Sequence, residues 1–259
     1  MHCVIFINKF IIILVGMTVV TAESLFRPRV LDGVDDVNNE FPYVISLETS
    51  VPWYKNMYRV CTGTYISQEW VLTAGHCLAL VPKITTVRYG KMTIPRNATK
   101  SVTKILKMVP HPSYQDIAPD AGMKNDIGLI LTQKTQMETI GKLSAIDSKF
   151  LTGLKVRYAG FGRTGRLHDE TRPLQLGEGV VIRCSHEAVR WCPAICIVAH
   201  CSRRDHDAAV GDSGGPVFYE GKIVAVVSGA ITPPEGIYTP VSPYLDWIRS
   251  TVLDEKNLL

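Results

Sequence analysis

Gly211-Asp212-Ser213-Gly214-Gly215-Pro216 sets a hydroxyl and an acid among three glycines and a proline. On its own such a stretch reads as a surface turn, because Gly, Asp, Ser and Pro each favour turns for local reasons. The chemical interest lies in Ser213. A serine hydroxyl is a weak nucleophile near neutral pH and needs an adjacent base, which a third group must orient. Two other stretches offer those groups. Thr73-Ala74-Gly75-His76-Cys77 ends an apolar run with an imidazole, and Asn125-Asp126-Ile127-Gly128-Leu129-Ile130 opens one with a carboxylate. A lone His is more often structural, and a lone Asp before a strand is usually a turn residue. Together, in the order His76, Asp126, Ser213, they could carry acyl transfer: the imidazole takes the hydroxyl proton and the carboxylate fixes the imidazole tautomer.

The elements that must position these groups are mostly strands. Short apolar, β-branched runs recur between turn signals: FPYVISL, GTYISQEWVLTA, TTVRYG, DIGLILT, LKVRYAGFG, GVVIRC, GKIVAVVSG and GIYTPV. Many short strands with frequent Gly and Pro, and little helical periodicity, predict an all-β sandwich or barrel architecture. The tail is the exception. From Pro243 to Leu253 the apolar residues fall at helical spacing, which predicts a terminal helix with Ser242 as its N-cap. No repeat, linker or low-complexity stretch interrupts the chain after Ala22. The 259 residues, 46% of them hydrophobic, suffice to bury a substantial core. A net charge of +4 without a long basic run argues against a nucleic-acid partner.

The first 22 residues have the order of a secretory signal peptide: Lys9, then an unbroken apolar run, then small residues with cleavage expected after Ala22. The apolar run is too short to span a bilayer comfortably, so no membrane anchor is expected. Removal of this segment takes Cys3 and leaves Cys61, Cys77, Cys184, Cys192, Cys196 and Cys201. An even count in an exported chain points to disulfides, whose pairing the count leaves open. His200 and His206 beside three of these cysteines raise a zinc alternative. An oxidising compartment and the lack of a CxxC pair argue against it, so no metal or other cofactor is expected. Asn97-Ala98-Thr99 is an N-glycosylation acceptor.

With TAGHC, NDIGLI and GDSGGP in this order, residues 30 to about 253 resemble the chymotrypsin/trypsin family of secreted serine proteases. The resemblance implies two six-stranded antiparallel β-barrels with the active site between them and a C-terminal helix packed back onto the body. His76 and Asp126 would come from the first barrel and Ser213 from the second. Ser228 matches the family's serine that hydrogen-bonds the aspartate and lies among the substrate-binding positions. The backbone N–H groups of Gly211 and Ser213 match the oxyanion hole, where one donor is worth about 3 kcal/mol of transition-state stabilisation.

The same resemblance assigns the flanking residues. Glu23 to Arg29 looks like a short activation propeptide, and cutting after Arg29 by an activating protease would free the amino group of Val30 to pair with Asp212. A propeptide this short leaves no room for a large regulatory domain upstream. The mature start Val30-Leu31-Asp32-Gly33 departs from the family's usual Ile-Val-Gly-Gly. Asp207, six residues before Ser213, stands where trypsin-like members carry the acid that selects Arg or Lys. Ala208, Ala230 and Gly236 would form the pocket walls. Two departures touch this pocket: Ala209 and the shortened segment 230–236 lack the cysteines of the usual bracing disulfide, and Gly229 replaces a tryptophan that lines the cleft. The family pattern pairs Cys61 with Cys77 and Cys184 with Cys196; Cys192 and Cys201 have no counterparts there and are paired as a hypothesis. No carboxylate lies between Cys77 and Asp116, so no calcium site is expected in that region. The reading is of a secreted, monomeric, zymogen-activated endopeptidase acting on polypeptides after Arg or Lys and open to protein protease inhibitors. The alternatives are a protease of apolar preference and a non-catalytic homologue acting as a binding protein.

Overall fold

The structure, a computed structural model, describes residues 33–50, 57–79, 84–116, 123–162, 171–184, 193–199, 211–232 and 235–256. In chain order the strands begin β1 (Val34–Asp35), β2 (Val44–Ser50), β3 (Met57–Tyr65) and β4 (Trp70–Thr73), followed by the single helical turn α1 (His76–Ala79). Next come β5 (Thr86–Arg88), β6 (Val102–Pro110), the short hairpin β7 (Gln115–Asp116) and β8 (Met123–Lys124), and β9 (Gly128–Thr132). The second half supplies β10 (Lys155–Gly160), β11 (Gln175–Ile182), β12 (Ile195–Ala199), β13 (Pro216–Tyr219), β14 (Lys222–Thr232), β15 (Glu235–Pro240) and the terminal helix α2 (Leu245–Lys256).

These strands close into two six-stranded antiparallel barrels. The first runs β2-β3-β4-β9-β6-β5. The second closes because β11 pairs with both β10 and β12, while β1 adds to it as an extra strand on β11. The implied fold is therefore the observed one. Period-two alternation divides β4 and β9 between two cores. On β4, Val71 points into the first barrel, whereas Trp70 and Leu72 join a cluster shared by both barrels and the tail. On β9, Ile130 takes the interior and Leu129 and Leu131 the shared cluster. On β14 a bulge against β13 interrupts the alternation, so that Val224, Ala225 and Val227 fill the second barrel while Ile223 and Val226 face the seam. Strands apolar on both faces read as unbroken hydrophobic runs for this reason. Across the seam, Phe41 stacks on Phe218 with centroids 4.4 Å apart, a geometry worth about 1 kcal/mol beyond its burial.

The terminal helix differs from expectation at its start. A 3₁₀ turn over Ser242–Tyr244 precedes α2, its N-cap is Val241, and no side chain caps it. The turn begins one residue earlier than expected, at Ser242, and Pro243 fits its first turn because its fixed φ is helical and its missing N–H is not needed there. Tyr244 and Ile248 then enter the shared cluster.

The loop after β5 is held by charge. Glu48 on β2 is 2% exposed and lies between two guanidiniums, 3.8 Å from Arg88 and in direct contact with Arg96. Arg88, itself 1% exposed, also donates to the carbonyls of Met92 and Ile94 at 3.1 and 2.6 Å. Asn97 sits exposed on the short 3₁₀ turn Arg96–Ala98 beside this cluster.

Candidate active site

β4 delivers the chain to Ala74-Gly75 and then to His76 at the start of α1. Gly75 is required by close approach: a Cβ there would lie 2.9 Å from the Tyr114 ring and 3.2 Å from the Ile127 backbone. Asp126 arrives from the turn before β9 and is fully buried. Its carboxylate collects three donors. The His76 backbone N–H donates to Oδ1 at 2.7 Å, the His76 ring lies with Nδ1 2.8 Å from Oδ2, and the Ser228 hydroxyl donates to the same Oδ2. A carboxylate facing Nδ1 selects the tautomer with its proton there, which leaves Nε2 with a free lone pair.

The turn carrying Asp126 is fixed by its neighbour. Asn125 adopts φ +50°, a left-handed conformation that Asn tolerates better than most residues. Its side chain donates to the Ser113 carbonyl at 2.7 Å and accepts from the Tyr244 hydroxyl at 3.0 Å. The tail thus reaches the carboxylate turn directly. Tyr114 packs nearby, and burial pushes its phenol above the ordinary range, with the charges of Asp126 and Asp116 adding to the effect.

Ser213 is half-buried on the 211–216 loop leading into β13. The loop's glycines are conformationally necessary. Gly211 has φ +101° and Gly214 φ +79°, and a side chain on Gly214 would collide with Thr73 and the Thr62 carbonyl. Gly214 N–H donates to the Val227 carbonyl at 2.7 Å and Gly215 N–H to the Asp212 carbonyl at 2.8 Å. Across the seam, Thr62 on β3 donates its N–H to the Ser213 carbonyl at 2.8 Å and its hydroxyl to the Gly211 carbonyl at 2.7 Å. One sulfur atom marks the meeting point: Cys77 Sγ lies 3.8 Å from His76 Nε2 and 3.6 Å from the Ser213 carbonyl oxygen.

Asp212 is 1% exposed and points away from this meeting point, into a niche between Gly160 and Gly162. Oδ1 accepts the Gly162 N–H at 2.7 Å, and a Cβ on either glycine would strike the carboxylate.

A family model described as Trypsin matches residues 30–248. The chain belongs to the trypsin family. It is 28% identical over 241 residues to mast cell protease 3 of Ovis aries, covering 88% of this chain and 91% of that protein. Duodenase-1 of Bos taurus is 30% identical over 211 residues, covering 76% of this chain and 80% of the relative. Melanization protease 1 of Drosophila melanogaster is 27% identical over 268 residues, 88% of this chain and 66% of the longer relative.

For a trypsin-family chain, the remaining expected positions fall as follows. Cys61–Cys77 and Cys184–Cys196 are disulfides, with Cα atoms 6.3 and 5.0 Å apart. Cys61, His76 and Cys77 place three atoms of metal-ligating type within 4.8 Å of one another, but the two sulfurs are bonded together and neither offers a thiolate. Ala230 on β14 and Gly236 on β15 are Cα partners across the β14–β15 ladder. A Cβ on Gly236 would lie 2.9 Å from the Tyr238 ring, while a Cβ on Gly229 would meet nothing within 4 Å among the described residues. Residues 1–22, the segment ending in Arg29, Val30, Cys192, Cys201, Asp207, Ala208 and Ala209 lie outside the described residues. Among the described residues no helix is long and apolar enough to cross a membrane. Thr62, Asn125 and Tyr244 were not foreseen as site residues. Asn125 stood inside NDIGLI and could have been noticed there, whereas the contacts of Thr62 leave no local mark in the sequence.

Proposed function

We propose that this chain is a serine endopeptidase hydrolysing peptide bonds with His76, Asp126 and Ser213. The observation that carries the reading is the buried Asp126 carboxylate gathering the His76 backbone N–H, the His76 ring and the Ser228 hydroxyl, with Cys77 Sγ close to both that imidazole and the Ser213 carbonyl. His76 Nε2 takes the Ser213 proton as Oγ bonds to the substrate carbonyl carbon, and the carbonyl π electrons move to oxygen. Backbone N–H groups of Gly211 and Ser213 receive that oxyanion. The tetrahedral species collapses as the imidazolium hands its proton to the departing amine, and water then releases the acyl group from Ser213 by the same proton path in reverse.

The finer assignments belong to the same proposal. Asp207 selects substrate Arg or Lys by ion pairing, within walls formed by Ala208, Ala230 and Gly236. The chain is exported under residues 1–22 and activated by cleavage after Arg29, so that the Val30 amino group compensates Asp212. The buried position of Asp212 supports this, because a cation beside a buried carboxylate offsets part of its desolvation. The lack of any described neighbour within 4 Å of a Cβ on Gly229 supports a second reading, a wider cleft with a different side-chain preference.

The test is to cleave the purified precursor after Arg29 and profile it on a fluorogenic peptide library, with Ser213→Ala as the control. Cleavage after Arg and Lys that requires both the Arg29 cut and Ser213 is expected. No cleavage by the activated chain overturns the enzyme reading. Cleavage confined to apolar residues overturns only the role of Asp207.

A further inference from the structure

Thr62 has every hydrogen-bonding group engaged, and three of its four partnerships run to backbone of the second barrel. It is fully buried. Its carbonyl accepts the Thr73 hydroxyl at 2.8 Å within its own barrel. Its N–H holds the Ser213 carbonyl at 2.8 Å. Its hydroxyl does two things at once: it donates to the Gly211 carbonyl at 2.7 Å and accepts the Phe161 N–H at 3.0 Å. One side chain of the first barrel therefore joins the 211–216 loop to the 160–162 loop, which the Gly162 N–H joins again through the Asp212 carboxylate.

We propose that Thr62 is a positioning residue for the oxyanion donors, acting through the Gly211 peptide; the inference rests on the serine protease reading. Gly211 sits at φ +101° and lacks a Cβ, so its own backbone leaves its peptide planes free to rotate. Pinning its carbonyl to the Thr62 hydroxyl fixes one plane, and pinning the Ser213 carbonyl to the Thr62 N–H fixes the other end of the segment. The first held plane is that of the Gly211 carbonyl and Asp212 N–H, the second that of the Ser213 carbonyl and Gly214 N–H. The plane of the Ser213 N–H lies between them and the plane of the Gly211 N–H adjoins the first, so one residue restrains the neighbours of both oxyanion donors. Preorganised donors act because they need no reorganisation as charge develops, so loosening them weakens the transition state more than the bound substrate. A threonine suits the position because the hydroxyl must donate and accept simultaneously in a dry site, which neither alanine nor valine can do.

The experiment compares the activated wild-type chain, Ser213→Ala, Thr62→Val and Thr62→Ser on the best peptide substrate found for wild type. It adds a peptide boronate, which bonds to Ser Oγ and mimics the tetrahedral species. Expected for Thr62→Val is a kcat lower by about tenfold, less than the loss on deleting a donor outright, with KM within about twofold. Boronate affinity should fall in parallel with kcat. Thr62→Ser, which keeps the hydroxyl, should restore both to within about threefold. Thr62→Ala replaces the valine variant if that protein does not fold. A hydroxyl-free variant with wild-type kcat overturns the proposal, as does a loss that merely follows the folded fraction or that serine fails to rescue. A wild-type chain no more active than Ser213→Ala overturns the protease reading, and the positioning role falls with it.

Discussion

Asp126 is the most heavily committed side chain of the site, and its commitments are unequal in origin. Two donors come from His76, fifty positions away, and the third from Ser228, which lies 102 positions away on β14. Hydrogen bonds to charged groups contribute about 1.5–3 kcal/mol, so Ser228→Ala should be felt at the imidazole without abolishing it. The expected outcome is kcat/KM lower by about tenfold and a modest loss in thermal unfolding, because the two His76 donors remain. Steady-state kinetics with a melting curve check it. At this scale the sequence was informative where chemistry restricts residue type. His76 and Asp126 could be named because few other residues can serve, Ser228 only through the family resemblance, and the structure brings the three together. Thr62 and Tyr244 escaped because their contribution is made to backbone or across 119 positions, as between Tyr244 and Asn125. Nothing within a short window distinguishes such a threonine or tyrosine from an ordinary core residue.

Among the elements, the strands that could be read from sequence include those buried on both faces, such as β4 and β9. β6 was not anticipated. Its period is broken by a bulge between Ile105 and Lys107, and Leu106 is 58% exposed, so apolar and polar residues do not alternate. β13 was hidden for another reason, since it starts at Pro216 inside the motif read as a loop. The loop after β5 depends on a charge cluster that no strand pattern reveals. Removing one partner of a buried ion pair leaves the other uncompensated, so Glu48→Gln, stranding the 1%-exposed Arg88, should destabilise the protein by about 3 kcal/mol. Denaturant unfolding measures this, and Asp147→Asn on the surface provides a comparison in which the exposed partner Lys149 loses little.

At the scale of the molecule, two closed barrels share one apolar cluster with the terminal helix, so the tail contributes to global stability. His111 reports on that docking. Its ring lies 5.2 Å from Tyr244 and 4.8 Å from Trp247, and burial pulls its affinity for a proton below the ordinary histidine value. A lowered value means that the folded chain binds the proton more weakly than the unfolded chain. Stability is therefore retained at neutral pH and lost as pH falls through the ordinary histidine range, near about 6.5. His111→Gln should reduce the drop in melting temperature between about pH 7.5 and pH 5 by about 2 °C, measured by calorimetry at both values. The barrel architecture was legible through three motifs and many short strands. The way the tail grips the Asp126 turn was not, because it is a property of assembly.

The bond from the Tyr244 hydroxyl to Asn125 carries a consequence in time as well as in space. Chains fold domain by domain as they are synthesised, N-terminal part first. The first barrel, with His76 and Asp126, can close while the ribosome is still making the second. Ser213, Ser228 and Tyr244 all emerge later. A growing chain thus holds its imidazole and carboxylate without the hydroxyl, the third donor or the clasp on their turn. On the proposed reading the site is completed only once Ser213, Ser228 and Tyr244 have all been made, so a chain interrupted before them lacks its nucleophile.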